Sequence, residues 1–114
     1  MKAESKIQQE IVIWFREQFV YGKNNPDHAI FSVPNEGKNV REQSAKISTG
    51  LMSGVSDLIV VMPGLVLFVE VKDATGRQEP KQIVFEGIVS RAGFEYHLVR
   101  TKQEFQEIIN NITL

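Results

Sequence analysis

The chain has no cysteine, so it can form neither a disulfide framework nor a thiolate metal site. It has little net charge, −1 at pH 7, and so lacks the overall positive charge of many nucleic-acid-binding proteins. A local basic patch can still contact phosphates, and nucleic acid therefore stays open as a partner. The apolar runs Leu58 to Met62 and Leu65 to Val69 are too short to span a bilayer. These absences, with a charged N-terminal stretch, predict a soluble, cytoplasmic protein.

What is present predicts one compact α/β domain over residues 1–114, of which 42% are hydrophobic. Periodicity and turn residues predict helices over 4–19, 80–92 and 102–112, strands over 29–33, 57–62, 65–72 and 95–99, and a weaker helix or an ordered loop over 40–49. Pro63-Gly64 makes the second and third strands an antiparallel hairpin. The strand–helix–strand unit that follows requires a parallel crossover, which predicts a mixed β-sheet flanked by helices.

One end of the predicted hairpin carries three charged residues. Glu70 and Lys72 are two apart on a strand, so their side chains point to the same face. Pairing across the turn brings Asp57 beside Glu70. Two carboxylates so close are unfavourable unless a cation lies between them, and oxygen ligands without sulfur favour Mg²⁺ or Mn²⁺. Lys72 could then orient or deprotonate an attacking water.

A simpler interpretation of these three residues stays open. A Glu-x-Lys pair on a strand is usually solvent-facing, although Asp57 at the matching end of the partner strand makes that interpretation weaker. Spacing alone does not decide between the two.

The ordered motifs resemble those of the PD-(D/E)XK nuclease superfamily, and more narrowly a virus-type replication-repair nuclease (VRR-NUC) domain. The resemblance covers nearly the whole chain and rests on five features: Glu4 with Gln8, the stretch from Gly50 to Gly54, Asp57, Glu70-Val71-Lys72, and Gln82. The sequence departs from the usual motifs at two positions, with Ser56 in place of proline and Glu79 in place of serine.

The resemblance implies a restriction-endonuclease-like core and Mg²⁺- or Mn²⁺-dependent hydrolysis of DNA. Asp57, Glu70 and the carbonyl of Val71 would bind the metal, Lys72 would act on water, and Gln82 would steady Lys72 or the phosphate. Stand-alone domains of this type are expected in phages and bacteria.

The first helix offers two acidic candidates. At about 100° per residue, Glu4 and Gln8 fall within the apolar arc, whereas Glu10 lies nearer the polar face. An acid in line with a buried stripe needs a reason, and a place at the metal site would supply one. A solvated glutamate in the first helical turn is the alternative. Glu4 is thus the favoured candidate, with Gln8 and Glu10 secondary.

Several further side chains could contact phosphates, because they flank the segments that lead to and from the candidate site. They are Lys38, Arg41, Lys46, Arg77 and Lys81. Ordinary solvated charge explains any one of them equally well. Asn35 is a secondary candidate, since a turn beside the site could touch DNA.

The function predicted is a metal-dependent DNA endonuclease that acts as a homodimer on branched DNA such as four-way junctions. A two-fold dimer could present two sites to matching strands. Residues suggested for its interface are Trp14, Phe19, Tyr21 and Phe105. The alternatives are a catalytically silent DNA-binding or assembly module and a nuclease acting on RNA, which the sequence does not exclude.

Overall fold

The computed structural model describes residues 2–34 and 40–112. Its elements are α1 (Ala3–Phe19), β1 (Ala29–Ser32), α2 (Val40–Ser48), β2 (Leu58–Met62), β3 (Leu65–Val71), α3 (Pro80–Arg91), β4 (Glu95–Val99) and α4 (Lys102–Ile112). The segment that the sequence left open between helix and loop is therefore helical over residues 40–48. The described residues include no helix that is long and apolar enough to cross a membrane.

The four strands form one mixed sheet in the order β1-β2-β3-β4. β1 and β2 are antiparallel, β2 and β3 form the expected antiparallel hairpin, and β4 runs parallel to β3. Gly64 turns the hairpin with a φ of 73°, a conformation that glycine adopts without steric cost. The predicted α/β fold, a mixed sheet flanked by helices, is confirmed.

The main hydrophobic core lies on one face of the sheet, beneath α1 and α4. Alternate residues of the hairpin point into it, and the register pairs Leu58 with Val69 and Val60 with Leu67. The helices contribute Ile11, Phe15, Phe105 and Ile109, all fully buried. This packing removes apolar surface from water, which is the main favourable term in folding.

Helix α3 covers the opposite face of the sheet. The ring of Phe85 meets Phe68 of β3 edge to face, with centroids 5.8 Å apart, and Tyr96 of β4 at 6.3 Å. Glu70 follows Phe68 on the same face, because side chains alternate along a strand. Glu70 therefore lies on the side of the sheet that α3 covers.

Three of the four interface residues suggested by the sequence pack in or against the core, and the full burial of Phe105 corrects the suggestion for that residue. Phe105 is fully buried, and Trp14 and Phe19 pack against the core as partly buried residues. The ring of Trp14 lies edge-on to those of Phe105 and Phe19, at 6.0 and 6.1 Å. The sequence suggested that a small domain would leave these aromatics incompletely buried, and it could not reveal the full burial of Phe105 because the docking of α4 against α1 is a long-range contact. Tyr21, the fourth suggested residue, is 61% exposed.

Candidate active site

A glycine turn places Asp57 immediately before β2. Gly54 has a φ of 85°, and a Cβ there would collide with the backbone carbonyl of Lys81 in the first turn of α3. The fully buried Ser56 donates its hydroxyl to the carbonyl of Leu58 at 3.3 Å. The segment from Gly54 to Ser56, which precedes Asp57, is thus packed against α3 at one end and hydrogen-bonded to β2 at the other.

Asp57 is attached directly to the strand that carries Glu70. Its Oδ2 accepts the backbone N–H of Val71 at 2.7 Å. In an extended strand the N–H and C=O of one residue point to the same edge, so the Val71 carbonyl faces the Asp57 side of β3. Extending the register by one pair beyond Leu58 and Val69 sets Asp57 opposite Glu70. The two carboxyl groups and this carbonyl therefore converge at one end of the hairpin.

Glu70 is an almost completely buried acid, with 1% of its surface exposed. Its carboxyl hydrogen bonds with that of Asp57. Burial, followed by that hydrogen bond and the negative charge of Asp57, raises the pKa of Glu70 from 4.5 to about 9, while the nearby charge of Lys72 lowers it. Glu70 thus retains a proton at neutral pH in the metal-free protein, which relieves the repulsion between the two acids.

Gln82 holds one oxygen of Glu70. Its Nε2 donates to Glu70 Oε1 at 3.1 Å, and its Oε1 accepts the backbone N–H of Glu79 at 2.8 Å. Because a backbone N–H can only donate, this second bond fixes which end of the amide faces Glu70. Gln82 therefore contacts the acid at the site, and α3 is anchored to β3 through it.

Lys72 lies just beyond β3 and is only 7% exposed. Its backbone N–H donates to the carbonyl of Val99 at 3.0 Å, which continues the pairing with β4. Its positive charge favours the ionised form of Glu70. A buried ammonium is costly in free energy unless negative charge compensates it. The Asp57–Glu70 pair supplies that negative charge for Lys72.

Glu4 reaches the same region from α1. A Cβ placed on Gly76 would lie 3.3 Å from Oε2 of Glu4 and 3.4 Å from Cδ of Lys72. The carboxyl of Glu4 and the aliphatic stem of Lys72 therefore both lie close to Gly76, where there is no side chain to separate them. Glu4 and Gln8 are half-buried, whereas Glu10 is exposed.

Sequence reasoning missed the residue that fixes the loop after Lys72. Arg100 donates through Nη1 to the carbonyls of Asp73 at 2.6 Å and Gly76 at 2.7 Å. Asp73 closes the same loop by accepting the N–H of Gly76 at 2.6 Å. No sequence signal pairs an arginine with carbonyls 24 and 27 residues earlier in the chain.

Tyr96 and Gln78 are also absent from the sequence-based set. The Tyr96 hydroxyl lies 3.5 Å from Oε2 of Glu70, and Gln78 Nε2 donates to that hydroxyl at 3.2 Å. Burial raises the pKa of Tyr96 above its usual value, so the hydroxyl stays protonated. The signal that could have found Tyr96 is its place on a strand expected next to β3, but the register between the two strands is not readable from sequence.

The basic candidates are distributed along two segments. Arg77 and Lys81 are exposed on the segment that leaves Lys72 and enters α3. Arg41 is exposed on α2, where Lys46 forms an ion pair with Glu42 at 2.9 Å. Lys38 and Asn35 lie outside the described residues.

The donor atoms at the site fit a hard divalent cation. Asp57, Glu70 and the Val71 carbonyl all offer oxygen atoms as ligands, and a bound cation would replace the proton that Glu70 retains because its pKa is raised. Within residues 2–34 and 40–112, however, no three acidic, histidine or cysteine side chains cluster as a ready metal cage. A cation here would need main-chain oxygen and water to complete its ligands, which is usual for Mg²⁺.

Comparison with known proteins gives a match in structure and none in sequence. No family model matches the chain, and no curated protein does. One solved structure, described as "VRR_NUC domain", superposes with a TM-score of 0.67 at 21% identity, covering 96% of this chain and 97% of that chain. Another, described as "VRR_NUC domain protein", superposes with a TM-score of 0.72 at 20% identity, covering 97% of this chain and 88% of that chain. The chain therefore has the fold of VRR-NUC domain structures, as its motifs predicted.

Proposed function

We propose that this protein is a metal-dependent nuclease that hydrolyses phosphodiester bonds in DNA. The observation that carries the proposal is the cluster in which the register of the hairpin sets Asp57 opposite the buried Glu70, next to the buried Lys72. Burial and the charge of Asp57 raise the pKa of Glu70 to about 9. A buried acid with so displaced a pKa and a specific charged partner is characteristic of functional sites. The VRR-NUC fold supports the same reaction class.

Asp57, Glu70 and the Val71 carbonyl would hold a Mg²⁺ or Mn²⁺ ion. When bound, the ion would supply charge neutralisation at the scissile phosphate and acidify a water molecule. Glu70 would have to lose its proton to serve as a ligand, and the hydrogen bond from Gln82 would keep its Oε1 oriented. The carboxylate of Asp57 would keep its orientation, because its Oδ2 accepts the backbone N–H of Val71.

Lys72 supplies the positive charge that the reaction needs on the side of the attacking water. Its ammonium orients that water and compensates negative charge that develops on the phosphate. Burial strengthens this effect, because charges interact more strongly where water is excluded. Glu4, beside the stem of Lys72, restricts where the ammonium can lie.

We further propose that the protein acts as a homodimer on branched DNA. The described residues span 43 × 34 × 33 Å, which leaves little surface for gripping a duplex with one site. A two-fold dimer presents two sites to the two matching strands of a four-way junction. Arg77 and Lys81, next to the site, would contact the phosphates.

The outer face of α3 supports the dimer. Ile83, Val84 and Ile88 are exposed there, Val84 to 59%. Exposed apolar residues grouped on one helix are typical of interaction surfaces. If two copies pair these helices antiparallel, Glu79 at one end meets Arg91 at the other, so the charges are complementary. This face replaces the aromatic residues that the sequence suggested.

A cleavage assay tests the nuclease. The substrates are four-way junction, flap, nicked, duplex and single-stranded DNA and matching RNA, each with Mg²⁺, Mn²⁺ or EDTA. We expect cleavage only with metal, faster on the junction, and none by Asp57→Asn, which controls for contaminating nuclease. DNA binding without cleavage would favour the silent module, and cleavage of RNA alone would favour the ribonuclease.

Light scattering tests the dimer separately. The wild type should have a dimer mass at micromolar concentration, and Val84→Lys should be a monomer. Ile13→Lys, at a site on α1 that is 48% exposed, is the matched control and should stay dimeric. A monomeric wild type would contradict the dimer without touching the nuclease.

A further inference from the structure

A second strand contributes a polar side chain to the candidate site. Tyr96 of β4 pairs with Phe68 of β3, two positions before the pair formed by Glu70 and Leu98. Alternation along both strands therefore puts Tyr96 and Glu70 on the face that α3 covers. The Tyr96 hydroxyl lies 3.5 Å from Oε2 of Glu70, the oxygen that Gln82 does not contact.

Gln78 determines the direction of this hydrogen bond. Its Nε2 donates to Oε1 of Glu86 at 3.0 Å and to the Tyr96 hydroxyl at 3.2 Å. A carboxylate only accepts, so the end of the amide that reaches Glu86 is the nitrogen. The phenol oxygen accepts from Gln78 and has a single proton, which it donates to Glu70.

We propose that Tyr96, oriented by Gln78, is a positioning residue that holds Oε2 of Glu70 for metal binding. The inference rests on the proposed metal-dependent function. Glu70 then has a donor on each oxygen: Gln82 from α3 and Tyr96 from β4. Each carboxylate oxygen has two lone pairs, so each keeps one for a cation. Rotation of the carboxyl group away from Asp57 would break both bonds.

A purely structural role for Tyr96 predicts something different. Its ring packs edge to face against Phe85 at 6.3 Å, and that contact does not involve the hydroxyl. Tyr96→Phe keeps the ring and removes only the hydroxyl. Tyr21→Phe is the matched control, because Tyr21 is the other tyrosine of the chain and is 61% exposed.

The test is Mn²⁺ binding by isothermal titration calorimetry, with thermal unfolding measured in EDTA. Removing one hydrogen bond should weaken Mn²⁺ binding of Tyr96→Phe about two- to tenfold, while Tyr21→Phe binds as the wild type does. Gln78→Leu should also weaken Mn²⁺ binding. Because Gln78 acts through Tyr96, the double variant should bind no more weakly than Tyr96→Phe alone.

Two results would overturn the inference. Wild-type Mn²⁺ affinity in Tyr96→Phe, even with a lowered melting temperature, would assign Tyr96 to packing. Additive losses in the double variant would show that Gln78 does not act through Tyr96. Absence of Mn²⁺ binding by the wild type would overturn the proposed function and this inference together.

Discussion

The carboxylate of Asp57 accepts the backbone N–H of Val71 at 2.7 Å, and Val71 directly follows Glu70 on β3. The chain segment that carries one acid therefore fixes the position of the other. Any shift of the hairpin register would separate them and would also turn the apolar residues of β2 out of the core. The stability of the sheet and the geometry of the candidate site depend on the same pairing.

The stability of the metal-free protein should fall as pH rises. The pKa of Glu70 is about 9 in the folded chain, against 4.5 as its ordinary value. Between these values the folded state keeps a proton that the unfolded state has lost, so higher pH favours unfolding. The free energy of unfolding then falls by up to about 1.4 kcal/mol per pH unit.

Urea unfolding in EDTA between pH 5 and 9, followed by the fluorescence of Trp14, measures this dependence. Glu70→Gln should flatten it, because its amide does not titrate in that range, whereas the titrating groups distant from the site contribute equally to both proteins. Parallel pH curves for wild type and Glu70→Gln would show that Glu70 has an ordinary pKa.

Glu4→Gln should reduce nuclease activity more than Glu10→Gln does. Glu4 places Oε2 beside Gly76 and the stem of Lys72, whereas Glu10 is exposed on α1. The two changes are chemically identical and lie on one helix, so each controls for the other. Initial rates over a series of Mn²⁺ concentrations make the comparison. The opposite ranking would assign the functional role to Glu10.

The hairpin and the crossover could be predicted from the sequence because both are local. Pro63-Gly64 sets the turn, and alternation from Leu58 to Met62 and from Leu65 to Val71 sets the register that brings Asp57 to Glu70. The helix after β3 is signalled by Pro80 and by apolar residues at helical spacing. These local signals cover most of the fold and the acidic pair.

What the sequence did not predict depends on contacts between distant segments. Tyr96 reaches Glu70 only because β4 lies in one particular register beside β3. Arg100 contacts the loop after Lys72 for the same reason. Phe105 is buried because α4 docks on α1. None of these contacts can be predicted from the spacing of residues within a short stretch of sequence.

Gly76→Ala should reduce activity more than stability. Its Cβ would lie 3.1 Å from Oδ1 of Asp73 and within 3.4 Å of Glu4 and Lys72, so the side chains of the site must move. Gly87→Ala is the control, because there the Cβ meets the flexible guanidinium of Arg91 and alanine favours a helix. The test compares the nuclease rates and the melting temperatures of the two variants with those of the wild type. Full activity in Gly76→Ala would show that the close approach has no functional consequence.

Gly54→Ala should destabilise the fold strongly, by about 2 kcal/mol or more. The residue combines a positive φ with backbone contact to Lys81, which cannot move without shifting α3. Gly64→Ala shares the positive φ but meets open space, and so it should lose only about 1 kcal/mol. Urea midpoints compare the two variants. Equal losses would mean that the loop before Asp57 is not packed against α3.

The central claim is that Lys72 acts in phosphodiester hydrolysis, and its most direct test is the cleavage rate of Lys72→Met with Mg²⁺. Methionine keeps most of the buried stem and removes the charge. The rate should fall about a hundredfold or more, with circular dichroism unchanged and Asp57→Asn inactive in the same assay. A near wild-type rate in folded Lys72→Met, with Asp57→Asn still inactive, would contradict the account.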